Sequence, residues 1–120
     1  MKLEDHMYST LMKIGEEHKD VHKALDDYFF EFRSSLHWVI LHHRLGIEKM
    51  VERFGGRARR AAEIHIEDDM GFVPDGPTDP RLLKHVYYNG PLDLELAEEV
   101  LEKVYGQSFD LEAAYDDIER

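Results

Sequence analysis

The sequence predicts an all-α protein, a single-domain bundle of five to six helices with a Pro/Gly-rich loop at about residues 71–80. Apolar residues recur at steps of three and four over long stretches, which is typical of one buried face of a helix. Glycines and prolines are concentrated in short segments that end these stretches. With 120 residues, 42% of them hydrophobic and 34% charged, the chain suits one globular core.

The N-terminal half predicts two or three helices. The first spans about residues 4–14 and ends at Gly15, a residue that favours the left-handed turn after a helix. From Glu16 to Phe54 the pattern is helical, with Gly46 as its only glycine and no proline. That stretch is long for one helix in a small domain, so we expect a break at Ser34–Ser35, where serine can cap a new helix. Gly46 is expected to mark the close approach of a neighbouring helix.

The remaining segments are shorter and each has a recognisable start or stop. Residues 57–70 predict another helix, with a short strand over residues 64–66 as an alternative. After the Pro/Gly-rich loop we expect a short helix from Asp79–Pro80 to about Val86, followed by a turn at Asn89–Gly90. An acidic helix then runs from Leu92 to Tyr105 and ends at Gly106. A last short helix is capped by Asp110. We expect one domain over residues 1–120, with its core in residues 4–70 and acidic C-terminal helices in residues 80–120.

Composition excludes several classes of function. The formal net charge of −11 argues against a nucleic-acid partner, which needs a basic face for phosphate contacts. The absence of cysteine excludes disulfides, thiolate catalysis and cysteine-ligated metals. No apolar stretch reaches membrane-spanning length, and no secretory leader is recognisable at the start. We therefore expect a cytoplasmic protein that does not act in a membrane. The basic residues Arg57, Arg59 and Arg60 are expected to pair with neighbouring carboxylates.

Eight histidines give the strongest chemical signal, and three of them fall in the segment HWVILHHRLGIEKM, residues 37–50. On one continuous helix, a turn of about 100° per residue places His43 on the apolar face and spreads His37 and His42 around the axis. One helix could not then present all three to a single ion. Any site needs side chains from other segments, and those available are His22, four residues before Asp26, and His65, four residues before Asp69.

These residues predict a metal site. Imidazole and carboxylate ligands suit Zn, Fe, Mn or Ni, and we expect the ligands to come from His22, His43, His65 and Asp69. His37, His42 and Glu48 are candidates for a general base or for groups that orient the ligands. The alternative for His43 alone is an ordinary core histidine with both ring nitrogens hydrogen-bonded. His6 and His85 are expected to be incidental.

Residues 22–74 resemble a His-rich family of small uncharacterised microbial proteins, carried as a domain of unknown function. The residues that carry the resemblance are His22, Asp26, His37, His42–His43, Gly46–Ile47, Phe54–Gly55, His65, Asp69, Gly71 and Pro74. The resemblance implies no activity. It implies that His22, His37, His42, His43, His65 and Asp69 belong to one set, which favours a shared site.

Three functions fit the sequence, and whether the chain is an enzyme stays open. The first is a metal-binding helical domain that could act as a metal-dependent hydrolase, since a bound ion can activate water. The second is a non-enzymatic interaction module, a homodimer with buried histidines, because Tyr28, Phe29, Phe30, Phe32 and Trp38 exceed what one small helix face buries. The third is an all-α nucleotide pyrophosphatase, in which Mg would bind to acidic residues of two helices, namely Glu95, Glu98, Glu99 and Glu102 with Glu16, Glu17 and Asp20.

Overall fold

The computed structural model describes residues 1–80 and 92–113, and every regular element in those ranges is helical. The α-helices are α1 (Leu3–Ile14), α2 (Lys19–Leu25), α3 (Phe29–Phe32), α4 (Trp38–Leu41), α5 (Arg44–Phe54), α6 (Ala58–Met70) and α7 (Leu94–Tyr105), with a 3₁₀ turn at Ser35–His37. Within those ranges five helices are seven residues or longer, whereas α3 and α4 are single turns. The all-α prediction is confirmed. The alternative of a strand over residues 64–66 is wrong, because these residues lie inside α6.

Three helices end at a glycine, as the sequence predicts. Gly15, Gly71 and Gly106 all adopt positive φ, and each donates its backbone N–H to the carbonyl four residues earlier. Asp93 caps α7 by accepting a hydrogen bond from the backbone N–H of Leu96 at 3.0 Å. Asp110 likewise accepts from the N–H of Ala113. The helix expected after Asp79–Pro80, the turn at Asn89–Gly90 and His85 lie outside the described residues.

Between Glu16 and Phe54 the chain breaks more often than the single break expected at Ser34–Ser35. A break at the serines is present: Arg33 has φ of 54° and Ser34 Oγ accepts from the N–H of Leu36. Further breaks follow Leu25 and Leu41. At the second of these, His42 ends α4 and His43 is extended, with φ of −165° and ψ of −179°. The three histidines of the 37–50 segment therefore do not share one helix.

Gly46 lets this corner form. A Cβ atom at this position would lie 1.8 Å from the carbonyl oxygen of Leu41, which is far inside van der Waals contact. The expectation of a close approach is correct, and the approaching group is the backbone of the short helix just before α5. Nearby, the N–H of Arg44 donates to the carbonyl of Pro74 at 2.9 Å, which ties the Pro/Gly-rich loop to the start of α5.

The core is built around α6. Helices α1, α2 and α5 all pack against it, and its buried side chains include Ala61, Ala62, Ile64 and Ile66. Helix α7 packs on α4, where the hydroxyl of Tyr105 donates to the carbonyl of Ile40. The small alanines allow α6 to approach its neighbours closely. This central position brings His65 and Asp69 within reach of three other segments.

Candidate metal centre

Five buried histidines and two aspartates converge beside α6. His6 comes from α1 and His22 from α2, while Asp26 directly follows α2. His37 and His42 flank α4, and His65 and Asp69 lie one turn apart on α6. The histidines are at most 7% exposed, and His6, His22 and His65 have no exposed surface. Polar rings this deeply buried need partners, because an unsatisfied buried polar group is costly.

Four of these residues surround a point at which an ion could bind. Asp26, His42, His65 and Asp69 each offer a ligand atom, and those atoms lie within 4.8 Å of one another. Oδ2 of Asp69 lies 3.0 Å from Nε2 of His42 and 3.3 Å from Nε2 of His65. Oδ1 of Asp26 lies 3.4 Å from Nε2 of His65 and 3.6 Å from Nε2 of His42.

These four separations fit a tetrahedral ion. Zinc–ligand bonds of about 2.0–2.1 Å at tetrahedral angles place neighbouring ligand atoms about 3.3 Å apart. The separations run from 3.0 to 3.6 Å and are centred on that value. These four carboxylate–imidazole separations are therefore compatible with an ion, and the other two separations in the group are at most 4.8 Å.

The charges at this point also fit a cation. The carboxylate of Asp69 is only 3% exposed, and no lysine or arginine of the described ranges pairs with it or with Asp26. The amino group of Met1 approaches Oδ1 of Asp69 at 3.4 Å. Nε2 of His65 is buried and makes no hydrogen bond of acceptable geometry to any described group, although it faces both carboxylates. A divalent cation would satisfy this nitrogen and neutralise the carboxylates together.

Two further histidines, His37 and His6, lie next to the carboxylates of Asp26 and Asp69. Nε2 of His37 lies 3.3 Å from Oδ1 of Asp26, and its Nδ1 is 2.7 Å from the carbonyl of Ser34. Nε2 of His6 lies 3.2 Å from Oδ1 of Asp69, and its ring stacks on that of His65 at 3.6 Å. The contact of His37 orients Asp26, as outer residues do around metal ligands. Nε2 of His6 lies close to Asp69 but, like Nε2 of His65, makes no hydrogen bond among the described residues. The expectation that His6 is incidental is wrong.

His6, His22 and His65 also come within 4.8 Å of one another, but this second group does not suit an ion. The rings of His6 and His65 are nearly parallel, at 11°, so their in-plane lone pairs do not converge. Nδ1 of His22 lies 2.8 Å from Nδ1 of His65, which is a hydrogen-bond distance and shorter than the spacing of two ligands of a tetrahedral ion. On its far side, Nε2 of His22 lies 3.1 Å from the hydroxyl of Thr10.

Burial and charge set the protonation of these groups. Burial alone would raise the pKa of Asp26 and of Asp69, but contacts with the surrounding histidines, first His37 for Asp26 and His42 for Asp69, hold both pKa values below their usual range. Burial would lower the pKa of His65, but the two carboxylates outweigh it and raise that pKa. For His22 and His42 burial dominates and lowers the pKa to about 4. A proton on His65 would therefore compete with any metal ion bound between these residues.

The structure places two expected site residues elsewhere. His43 is the N-cap of α5: its Nδ1 accepts from the N–H of Gly46 at 3.3 Å and its Nε2 lies 3.0 Å from the carbonyl of Val39. Both ring nitrogens are thus used locally, and burial lowers the pKa of His43 to about 4. Glu48 is exposed and paired with Arg59. Among the described residues, neither belongs to either group of converging ligand atoms.

The other expected residues do meet, with changed neighbours. His22, His65 and Asp69 all lie among the converging histidines and aspartates. His42 and Asp26, which were not among the expected ligands, belong to the group of four converging ligand atoms. A sequence signal for Asp26 exists: His22–Asp26 and His65–Asp69 repeat the same spacing of four residues, which places each pair on one side of a helix. For His6 the sequence carries no such signal, since the buried residues of α1 are the polar pair His6 and Thr10.

The remaining charged residues follow ordinary surface pairing. Arg57 pairs with Asp20, Arg59 with Glu48 and Arg60 with Glu67, as expected for the basic segment. Glu95, Glu98, Glu99 and Glu102 line an open groove on α7 with Glu112. In the described ranges, no three of these glutamates have carboxylate oxygens that all lie within 4.8 Å of one another.

None of the helices described is both long enough and apolar enough to cross a membrane. The resemblance to the His-rich microbial family stays a prediction. No protein-family model, curated protein or solved structure matches the chain.

Proposed function

We propose that the chain is a divalent-metal-binding helical domain whose ion is held by Asp26, His42, His65 and Asp69. The observation that carries the proposal is the four carboxylate–imidazole separations of 3.0 to 3.6 Å, together with the convergence of all four ligand atoms within 4.8 Å of one another. The unsatisfied Nε2 of His65 and the two carboxylates without a lysine or arginine partner in the described ranges support it. Two imidazoles and two carboxylates form a ligand set for Zn, Fe, Mn or Ni.

The coordination number decides whether such a site could be catalytic. Zinc with four protein ligands is a closed site of the structural kind. Manganese, iron and nickel accept six ligands, so two positions would remain for water or substrate. The side chain of Asp26 is 34% exposed, whereas that of Asp69 is 3% exposed, so access to the ion is from the side of Asp26.

Hydrolysis is the reaction that we propose for an open site. A bound divalent ion lowers the pKa of a coordinated water and makes it a nucleophile near neutral pH. His37 is placed to act on such a water or on a leaving group, since its Nε2 lies 3.3 Å from Oδ1 of Asp26, the more exposed of the two carboxylates. Glu48 lies outside the cluster and has no role in this proposal.

Metal analysis tests the binding proposal. Protein purified without an affinity tag is examined for bound metal by mass spectrometry, and metal-free protein is titrated with Zn, Mn, Fe and Ni by calorimetry. We expect one equivalent of metal per chain and at least a hundredfold loss of affinity in Asp69→Asn. Asp68→Asn is the matched control, because Asp68 is the adjacent carboxylate and pairs with Lys13 instead. Absence of metal in purified protein together with no binding in titration would refute the proposal.

A non-enzymatic homodimer is the second candidate, and exposed aromatic residues favour it. Phe30 is 74% exposed and Phe29 is 41% exposed, whereas Phe32 is buried in the core. Large exposed aromatics on one short helix are typical of an interface with a partner. Sedimentation equilibrium should then show a dimer that Phe30→Ser dissociates. A monomer at all accessible concentrations would exclude this candidate, and metal binding is an independent measurement.

A further inference from the structure

The hydroxyl of Thr10 begins a chain of hydrogen bonds that ends at the ion position. Thr10 is fully buried on α1, and its Oγ1 lies 3.1 Å from Nε2 of His22. Nδ1 of His22 lies 2.8 Å from Nδ1 of His65. Nε2 of His65 then faces Asp26 and Asp69 at 3.4 and 3.3 Å. The His22 side chain therefore connects a neutral hydroxyl, that of Thr10, with the proposed metal ligand His65.

The direction of this chain depends on the single proton of the hydroxyl. Three backbone carbonyls compete for it with His22: those of His6 at 3.3 Å, Met7 at 3.2 Å and Glu17 at 2.8 Å. The Glu17 carbonyl is the closest, and 2.8 Å is the usual length of an O–H···O hydrogen bond. With its proton given to Glu17, Thr10 can only accept from His22.

We propose that Thr10 is a positioning residue that fixes the tautomers of His22 and His65, and thereby keeps Nε2 of His65 open as a metal ligand. Because Oγ1 of Thr10 accepts, His22 carries its proton on Nε2 and presents a lone pair at Nδ1. That lone pair accepts from Nδ1–H of His65. On neutral His65 the remaining nitrogen, Nε2, then carries a lone pair that an ion can bind, and on protonated His65 the ion must displace the proton of Nε2.

The opposite direction would have the opposite effect on the site. If Thr10 donated to His22, His22 would carry its proton on Nδ1 and donate it to Nδ1 of His65. Neutral His65 would then hold its proton on Nε2, at the position that the metal requires. One hydroxyl on α1 thus acts through two rings on the affinity of a site to which it contributes no ligand, in the way that hydrogen-bond partners of ligands act in metal proteins.

The inference rests on the proposed metal site, but its first test does not. Nitrogen-15 NMR of the metal-free full chain reports which nitrogen of His22 carries the proton. We expect Nε2–H in the wild type and in Thr10→Ser, which keeps the hydroxyl. We expect loss of this tautomer preference in Thr10→Val, which keeps the volume without the hydroxyl. Nδ1–H on His22 in the wild type would overturn the inference, whether or not metal binds.

The second test measures zinc affinity in the same three proteins. Thr10→Val should bind zinc about 10- to 100-fold more weakly than the wild type, and Thr10→Ser within about threefold of it. Circular dichroism and the NMR spectrum of each variant establish that it is folded. Equal affinities of the wild type and folded Thr10→Val would overturn the inference and leave the metal site intact. Failure of the wild type to bind any metal would refute the proposed function, while the tautomer result would still decide the role of Thr10.

Discussion

Nε2 of His42 lies 3.0 Å from Oδ2 of Asp69, although the two residues are 27 positions apart in the chain. This contact joins the end of α4 to the last turn of α6. It exists because the chain turns at His42, where a continuous helix would have directed the imidazole differently. The contact makes His42, and not its neighbour His43, a member of the proposed metal centre.

The first prediction compares these two adjacent histidines. His42→Gln should lower metal affinity at least tenfold, because it removes one of four ligands. His43→Asn should leave the affinity unchanged, because His43 caps α5 and asparagine also serves as an N-cap. Isothermal titration with zinc distinguishes them. Equal losses in both variants would argue that the corner, and not the ligand, is what matters.

The second prediction concerns the pH dependence of metal binding. The two carboxylates raise the pKa of His65, so this ring holds a proton that the metal must displace, whereas burial keeps His42 neutral with a pKa of about 4. We expect release of one proton per metal bound near pH 6, and an affinity that falls about tenfold per pH unit as the pH falls below the pKa of His65. Calorimetry in buffers of different ionisation enthalpy counts the protons. Release of two protons would show that His42 is also protonated in the metal-free protein.

The third prediction concerns the pH dependence of stability. Burial lowers the folded-state pKa of His43 to about 4, against 6.5 in the unfolded chain. The unfolded state therefore binds this proton first, and stability is lost as the pH falls from 6.5 to 4, by about 3 kcal/mol for this one group. His43→Asn lacks this loss. Its free energy of unfolding relative to the wild type should rise over that interval, as measured by urea unfolding of metal-free protein. A difference that does not change with pH would contradict the assignment.

The fourth prediction concerns the corner at Gly46. On an ordinary helix, replacing glycine by alanine stabilises by about 1 kcal/mol. Here the new Cβ would lie 1.8 Å from the Leu41 carbonyl oxygen, so Gly46→Ala should destabilise by at least about 2 kcal/mol. Gly56→Ala is the control, because a Cβ there meets no atom within 4 Å. Thermal unfolding measures both. A gain in stability for Gly46→Ala would show that the corner relaxes without cost.

Local chemistry explains which predictions from the sequence were correct. The helix ends at Gly15, Gly71 and Gly106 and the cap at Asp93 depend on residues next to each other in the chain, so the sequence shows them directly. The same holds for the spacing of His65 and Asp69, since four residues on a helix always lie on one side. For these features, backbone conformation and side-chain chemistry act within a single turn.

The division of roles between His42 and His43 required the tertiary structure. The sequence indicated a continuous helix there, and on it His43 faces the core with the ligands. A single extended residue, made possible by Gly46, redirects both rings. Likewise, nothing near His6 indicates that its ring stacks on His65, because that contact depends on how α1 packs against α6. The sequence alone determined the helical class, the helix ends and the residue types of the proposed metal site. The packing of α1, α2 and α5 against α6, and the corner after α4, decided which of those residues meet, since contacts between distant segments depend on the arrangement of the helices.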